Sequence, residues 1–330
     1  MLEKTSLELL KTSKNLLAFS AGVDSTALLF LLLEHNVSFD IAIVDYGIRL
    51  QSKEEVSYAQ ELAKEHNFTC FVHKAQAIES NFEAKAREIR YSFFETLITE
   101  HAYETLLTAH HLGDRLEWML MQFCKGAGCV ELSGMKKVQK RDFYTLYRPL
   151  LHLDKSELLA YLQTEDKKYF LDESNEQLKY KRNEFRHNYA KPMIQEYLSG
   201  IKKSFEYIDE DVSLLIDEIE VGEINAFAYF KTSHSKRSDG VAIDKYLKSK
   251  GHIITAKERE LLKAQESVVL GRKYVVNQTL AYVFIAPYIQ VTQMTKEFKE
   301  KMRLLKIEPK LRAYLSTDSE AVALVSRLLQ

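Results

Sequence analysis

The first half of the chain alternates short apolar runs with longer segments of mixed polarity. Leu16–Phe19 is an apolar run of buried-strand length, and Ala27–Leu33 reads as a buried helix. Phe39–Val44 predicts a second strand ending at Asp45, followed by a helix from about Ser52 to His66. Thr69–His73 predicts a third strand. Ser80 and Glu83 stand at capping-box spacing, which predicts a helix from there to about His101. Thr105–Ala109 predicts a fourth strand and Leu112–Phe123 a fourth helix. Such alternation predicts an α/β fold with a doubly wound parallel sheet. Ligands of these sheets bind at the carboxyl ends of the strands. Ser20–Ser25, Asp45 and His110 all fall there.

Beyond the fourth helix the pattern loosens. Gly126–Gly128 marks a loop, Tyr144–Leu151 a short extended piece, and Asp154 with Glu157 the start of another helix. A polar segment, Asp172–His187, ends this part near Lys191–Pro192. Residues 200–220 read as one long helix. The remainder alternates short strands (Tyr274–Val276, Ala281–Ile285) with helices, an α+β pattern. The expected division is a catalytic domain over 1–199, a connector helix over 200–225 and a smaller α+β part over 226–330.

Composition supports a folded enzyme. The 330 residues are 46% hydrophobic and 28% charged, enough to bury a core. No apolar run reaches membrane-spanning length, and the N-terminus lacks signal-peptide shape, so the expectation is a cytoplasmic protein without a membrane partner. Cys70, Cys124 and Cys129 form no C-x-x-C pair, which argues against a disulfide framework or an iron–sulfur site. Cys124 and Cys129, five apart near a glycine-rich loop, are packed thiols or serve redox or sulfur transfer. The net charge of −1 hides an asymmetry: Lys231–Arg312 holds 18 Lys and Arg against 8 Asp and Glu. That stretch either meets a polyanion or is a solvated, mixed surface.

The chemistry concentrates between strand one and helix one. Ser20, Ala21, Gly22, Val23, Asp24 and Ser25 form a turn of mostly small and hydroxylated residues before a helix. Backbone N–H groups, the helix N-terminus and hydroxyls together suit a phosphate cradle. The Walker lysine is absent and Asp24 stands in the turn. A carboxylate beside phosphates is repulsive unless Mg²⁺ lies between them. The other reading is an ordinary helix cap at Asp24 or Ser25.

Ser20–Ser25 resembles the S-G-G-x-D-S signature of the PP-loop, or N-type ATP pyrophosphatase, superfamily, with Ala21 at the second position. A methyl there fits only if the position does not need positive φ. Further motifs resemble the tRNA(Ile)-lysidine synthase family. Val44–Arg49 (V-D-Y-G-I-R) is similar to its V-D-H-G-L-R, and Ser52 and Glu55 keep the following spacing. Ala86, Arg87, Arg90 and Tyr91 are similar to its A-R-x-x-R-Y. Thr108–His111 matches its T-A-H-H, continued by Asp114 and Glu117, with Gly113, Arg115 and Trp118 as departures. Gly126, Gly128, Leu132, Gly134 and Met135 match a glycine loop. Arg148–Leu150, then Asp172, Ser174, Asn175, Arg182, Asn183 and Arg186, match its closing motifs. The resemblance is dense over 15–190 and weak after 200.

The resemblance implies two steps. The wobble cytidine of tRNA(Ile) is adenylated by ATP, releasing pyrophosphate, and the ε-amine of free L-lysine then displaces AMP. ATP and Mg²⁺ are the implied cofactors. Asp24 would hold the metal, Asp45 and the Ser20–Ser25 turn the nucleotide, and Arg87 and Arg182 would face phosphate or tRNA. His110, Asp114 and Glu117 stand at i, i+4 and i+7, one helical face if the helix starts early enough. That face is an acidic lysine pocket or the solvated side of an amphipathic helix, with Leu116, Met119, Leu120 and Phe123 opposite. Arg115 could pair with Asp114. Arg182–His187 offers two arginines, Arg182 and Arg186, with Phe185 between them, which suits phosphate and base-stacking contacts or a plain helix surface with Phe185 in the core, and Asp172 could cap a helix. The rivals are a thiolating PP-loop enzyme on tRNA, which would use cysteines, and a non-catalytic RNA-binding relative. The oligomeric state, a homodimer included, stays open.

Overall fold

The computed structural model describes residues 1–47, 51–78, 80–171, 181–233, 235–290 and 293–329. Ile48 and Arg49 of the second motif, and Asp172, Ser174 and Asn175 of the closing motif, lie outside them. The chain divides into two compact units, Met1–Asp209 and Glu210–Gln330.

The first unit runs α1 (Lys4–Thr12), β1 (Asn15–Ala18), α2 (Val23–Glu34), β2 (Phe39–Asp45), α3 (Gln51–His66), β3 (Cys70–Lys74), α4 (Phe82–His101), β4 (Thr105–Leu107), α5 (Leu112–Phe123), α6 (Cys129–Ser133), β5 (Val138–Lys140), β6 (Thr145–Tyr147), α7 (Lys155–Thr164) and α8 (Lys181–Phe185). A π-turn, Arg186–Ala190, leads into α9 (Lys191–Leu215), a helix kinked at Tyr197. The sheet order is β3-β2-β1-β4-β6-β5, parallel except for the β5–β6 pair.

The two-residue period of the strands sorts their side chains to opposite faces. Leu17, Ile41, Ile43 and Leu107 pack with α2, α3 and α7 through Leu28, Leu62 and Leu158. Leu16, Ala42, Leu106 and Leu146 pack under α4 through Phe94, Leu97 and Ile98. Both faces of the sheet are therefore covered, as a doubly wound fold requires. Helix α2 is apolar on every side because it is buried on nearly every side. Helix α4 starts differently from its sequence spacing. Its N-cap is Asn81, in the left-handed region at φ 51°, and that side chain makes no capping bond. The helix begins one residue later than a Ser80–Glu83 capping box needs.

The second unit contains β7 (Gly222–Ile224), β8 (Phe227–Lys231), α10 (Lys236–Ser249), α11 (Ala256–Ala264), β9 (Ser267–Leu270), β10 (Tyr274–Gln278), β11 (Tyr282–Pro287), α12 (Lys296–Leu304), α13 (Pro309–Leu315) and α14 (Ser319–Leu329). Its sheet is antiparallel, in the order β7-β8-β11-β10-β9. One face packs on α12–α14 through Phe227, Phe284, Met302, Leu311 and Val325. The other packs on α10 and α11 through Phe230, Val283, Ile243, Leu247 and Leu262. Lys231–Arg312 lies within this unit. Part of its charge is spent locally, in Lys248–Asp244, Lys263–Glu260 and Arg303–Glu300 pairs one helical turn apart. Lys245, Lys257, Arg272, Lys299 and Lys306 are exposed. Among the described residues, no helix is long and apolar enough to cross a membrane.

Candidate active site

The chain leaves β1 through Phe19, whose N–H bonds to the Ala42 carbonyl of β2, and turns at once into α2. Ser20 and Ser25 close the turn: their hydroxyls lie 3.0 Å apart, and the Ser20 N–H donates to Ser25 Oγ at 3.2 Å. Ala21 is fully buried at φ +57°, so its methyl occupies a left-handed position after all. Its carbonyl accepts the Phe170 N–H at 2.9 Å, which pins the turn against the strand-like end of the chain after α7. A left-handed alanine costs roughly 1 kcal/mol, held in place by these bonds. Gly22, the N-cap of α2, offers no side chain to the first turn. The first N–H groups of the helix have no intrahelical partner, which suits an anion.

Asp24 stands in that first turn. Its Oδ2 lies 3.8 Å from His111 Nε2 and 3.9 Å from Lys155 Nζ, while its buried Oδ1 has no hydrogen-bond partner. Burial pushes its carboxyl above the usual range, against the pull of His111 and Lys155. Among the described residues, no group of three or more His, Cys, Asp or Glu is arranged to hold a metal alone. A magnesium ion shared between one carboxylate and phosphate oxygens needs no such group. The orphaned Asp24 Oδ1 fits that use.

The end of β4 supplies the facing wall. His111 is the N-cap of α5: its Nδ1 accepts the Gly113 N–H at 3.0 Å, and its own N–H donates to Asp114 Oδ2 at 3.1 Å. The ring proton therefore sits on Nε2, between Asp24 and, at 3.6 Å, Asp114 Oδ2. Gly113 makes room for this, since a Cβ there would lie 2.7 Å from His111 Cε1. His110 precedes the helix rather than joining its polar face. It bonds Thr108 Oγ1 at 2.9 Å, and burial pushes its imidazole down to about 4, leaving it neutral at pH 7.

Asp114 and Glu117 form neither a solvated face nor an open pocket. Both are buried, and two arginines hold them. Arg182 donates to Asp114 Oδ1 at 2.7 Å and to Glu117 Oε2 at 3.1 Å. Arg186 donates to Glu117 Oε1 at 2.5 Å, to Glu117 Oε2 at 3.2 Å and to Asp114 Oδ1 at 3.4 Å. Burial alone would raise the Asp114 carboxyl, but His111, His110 and the two guanidiniums outweigh it and hold Asp114 well below the usual carboxylate range. Arg115 does not pair with Asp114. It points the other way, donating to the Ser133 carbonyl at 2.9 Å and to Asp209, with its guanidinium 4.2 Å from the Phe205 ring. That buried bond ties α5 to α6 and α9. Leu116, Met119 and Leu120 pack on α9 as the helical pattern requires, but Phe123, at the helix end, is exposed.

The remaining expected residues sit further out. Asp45 ends β2 and accepts the Gly47 N–H at 2.8 Å. Tyr46 donates to the Ala86 carbonyl at 2.9 Å, joining the second and third motifs. Arg87 is exposed, 4.6 Å above the Tyr91 ring. Among the described residues, no hydrogen bond or ion pair joins Asp45 or Arg87 to the Asp24–Asp114 group, although Arg87, with Arg148 and Arg182, opposes protonation of His110. Phe185 is half-buried against Tyr189, ring centroids 5.3 Å apart. Sequence reasoning gave His111 and Lys155 no role and read Arg186 toward phosphate, not toward Glu117. Arg186 was signalled by its i+4 spacing from Arg182, and His111 by its place beside His110. Lys155 had no local signal.

A family model described as a PP-loop domain matches residues 2–193. A tRNA(Ile)-lysidine synthase of Helicobacter pylori is 44% identical over 317 residues, 96% of this chain and 93% of that one. Its counterpart in Campylobacter jejuni is 41% identical over 310 residues, covering 94% of each chain. The chain belongs to the tRNA(Ile)-lysidine synthase family. It is thus an ATP-using PP-loop enzyme of the ligase class that modifies tRNA. Among solved structures, a U34-tRNA thiolase from Methanococcus maripaludis, solved with its [4Fe-4S] cluster, superposes with a TM-score of 0.51 at 18% identity. That match covers 64% of this chain and 76% of that one, a likeness of fold alone. The lysidine synthase relatives match nearly the whole of this chain, the second unit included.

Proposed function

We propose that the protein ligates free L-lysine to C2 of the wobble cytidine of tRNA(Ile) bearing a CAU anticodon, through an adenylated tRNA. The cytidine O2 attacks the α-phosphorus of ATP and pyrophosphate leaves. The lysine ε-nitrogen then bonds to C2, the C2–O2 bond breaks, AMP carries O2 away, and the nitrogen gives up a proton. The observation that carries this reading is the adjacency of two unlike anionic groups across His111: Asp24 at an uncapped helix N-terminus, and the Asp114–Glu117 pair on α5.

The first helical turn of α2 with Ser20, Ala21, Gly22, Val23 and Ser25 binds the phosphates, and Asp45 is assigned to the nucleotide. Asp24 would hold Mg²⁺, which would supply neutralising charge at the departing pyrophosphate. Arg87 and Arg182 add cationic charge facing phosphate or tRNA. Asp114 and Glu117 receive the lysine ammonium and take or relay its proton, and His110, neutral at pH 7, lines the same strand end. The basic stretch of the second unit contacts the tRNA backbone, so that 1–199 do the chemistry, 200–225 connect and 226–330 hold the tRNA. ATP, free lysine and tRNA meet in the cytoplasm, which is where the reading puts the protein.

The test uses full-length protein, tRNA(Ile) carrying cytidine at the wobble position, ATP and radiolabelled lysine. The expected result is one lysine fixed per tRNA, with one AMP and one pyrophosphate released. Label that requires Cys124 or Cys129, or pyrophosphate release with no lysine fixed, overturns the proposal.

A further inference from the structure

We infer that Arg182 and Arg186 occupy the lysine site as internal cations, and that bound nucleotide draws them off, so that ATP and lysine bind cooperatively with nucleotide first. This rests on the functional reading above. The group is balanced: two carboxylates face two guanidiniums across five hydrogen bonds. A lysine ammonium entering it would be a third cation against two anions. It would lose its water without gaining net attraction, which is unfavourable.

The layering fixes which partner must move. The carboxylate side chains are 11% and 2% exposed, while those of Arg182 and Arg186 are 36% and 26% exposed. A cation arriving from solvent meets the guanidiniums before the carboxylates. The acids are anchored on α5, whose N-terminal turn is fixed by the His111 cap and whose opposite face is bolted through Arg115. The arginines come from a different piece of chain, α8 and the following π-turn, four residues apart and so on one side of it. A π-turn is an irregular ladder, the kind of element that recurs at functional sites.

The phosphate end lies close by. Asp24 and Asp114 are each within 4 Å of the same His111 nitrogen, and Arg186 stands near enough to Asp24 to act on its carboxyl electrostatically. A triphosphate at the first turn of α2 brings several negative charges to that spot. The guanidiniums then have a second anionic partner, in the bidentate geometry arginine favours for phosphate. Turned toward it, they leave Asp114 and Glu117 with a net charge of about −2 for the lysine ammonium. Arginine thus serves each substrate in turn: it balances the acids when the site is empty and the phosphates when ATP is bound.

Calorimetric titration of the full-length protein with L-lysine, with and without adenylyl imidodiphosphate and Mg²⁺, tests this. The expected result is lysine binding about tenfold or more tighter with the analogue, and an equal factor for the analogue with lysine, since coupling is reciprocal. Arg186→Met removes the bidentate partner of Glu117, so lysine should bind it more tightly than wild type without nucleotide, and the coupling factor should fall toward one. Arg186→Lys keeps the charge but not the fork, and should lie between. Equal lysine affinity with and without the analogue in wild type overturns the inference while leaving the lysine site intact. No lysine binding in either state overturns the functional reading beneath it.

Discussion

Asp24 and the Asp114–Glu117 pair sit at the same sheet edge, on either side of one imidazole, and are held in opposite ways. Asp24 is half-buried, with its buried Oδ1 unpartnered, and its carboxyl is raised. Asp114 and Glu117 are buried with their charge matched, and Asp114 is depressed. Burial opposes ionisation of both Asp24 and Asp114. The difference lies in what each has been given as a counter-charge. An acid left short of partners is waiting for a cation from outside, and an acid fully partnered must exchange one cation for another. On the proposed reading these are the metal position and the lysine position.

The largest effect should come from the unpartnered side. Asp24→Asn should slow pyrophosphate release a hundredfold or more, the scale of losing one key electrostatic contact at developing charge. The same change should not lower the melting temperature. A carboxyl whose folded pKa is raised above its unfolded value costs stability at neutral pH, and the amide removes that cost. A destabilised but active Asp24→Asn protein breaks the comparison.

The partnered side should respond the other way. Glu117→Ala strands Arg182 and Arg186 beside a buried gap, at a cost of about 3 kcal/mol. The figure stays at the low end because both guanidiniums keep some contact with water. Chemical denaturation measures it. A midpoint equal to wild type means the quartet contributes nothing to the fold.

His110 sharpens the picture through pH. Its folded value of about 4 lies below the ordinary 6.5, so the unfolded chain binds the extra proton first as pH falls. Stability from this group is full above pH 6.5 and is lost toward pH 4, about 2 kcal/mol of it between 6.5 and 5. His110→Gln should flatten the slope of stability against pH over that window. An unchanged slope assigns the acid sensitivity elsewhere.

The smallest effect belongs to the turn. Ala21→Gly relieves a left-handed alanine, but it also frees the unfolded chain and removes a buried methyl. The net change should be under about 1 kcal/mol in either direction. Nucleotide affinity should stay within a few-fold of wild type, because the bonds made by Ser20, Ser25 and Phe170 remain. A larger loss of affinity means that the methyl itself shapes the cradle.

What could be read beforehand follows from what is local. Leu16 and Leu17 already implied a strand with two covered faces, and the apolar run from Ala27 a helix buried all round. Ser20–Ser25 was legible because a phosphate turn is built from neighbours in sequence. The state of Asp114 and Glu117 was not, because it depends on arginines 65 to 72 residues away. The same spacing on α5 would suit an open pocket, a solvated face or a buried quartet, and only the partner decides. Arg115 was misread for the same reason, its partner Asp209 lying 94 residues on. Asn81 took the cap of α4 from Ser80 by adopting a left-handed backbone, which the spacing of polar residues does not encode. In the second unit, β7 and β9 are only three and four residues long, and β8 meets its partner β11 across the intervening α10, α11, β9 and β10, so the five-stranded antiparallel sheet was reduced to two of its strands.

Single-turnover pyrophosphate release without lysine, followed by lysine chase, tests the division of labour between the two acidic positions most directly. The comparison is wild type against Asp24→Asn and Glu117→Gln on tRNA(Ile) with ATP and Mg²⁺. The account predicts that Asp24→Asn loses pyrophosphate release itself. Glu117→Gln should release pyrophosphate at near the wild-type rate and then fix lysine slowly or only at raised lysine concentration. Equal loss of pyrophosphate release in both variants, or normal lysine fixation by Glu117→Gln, contradicts it.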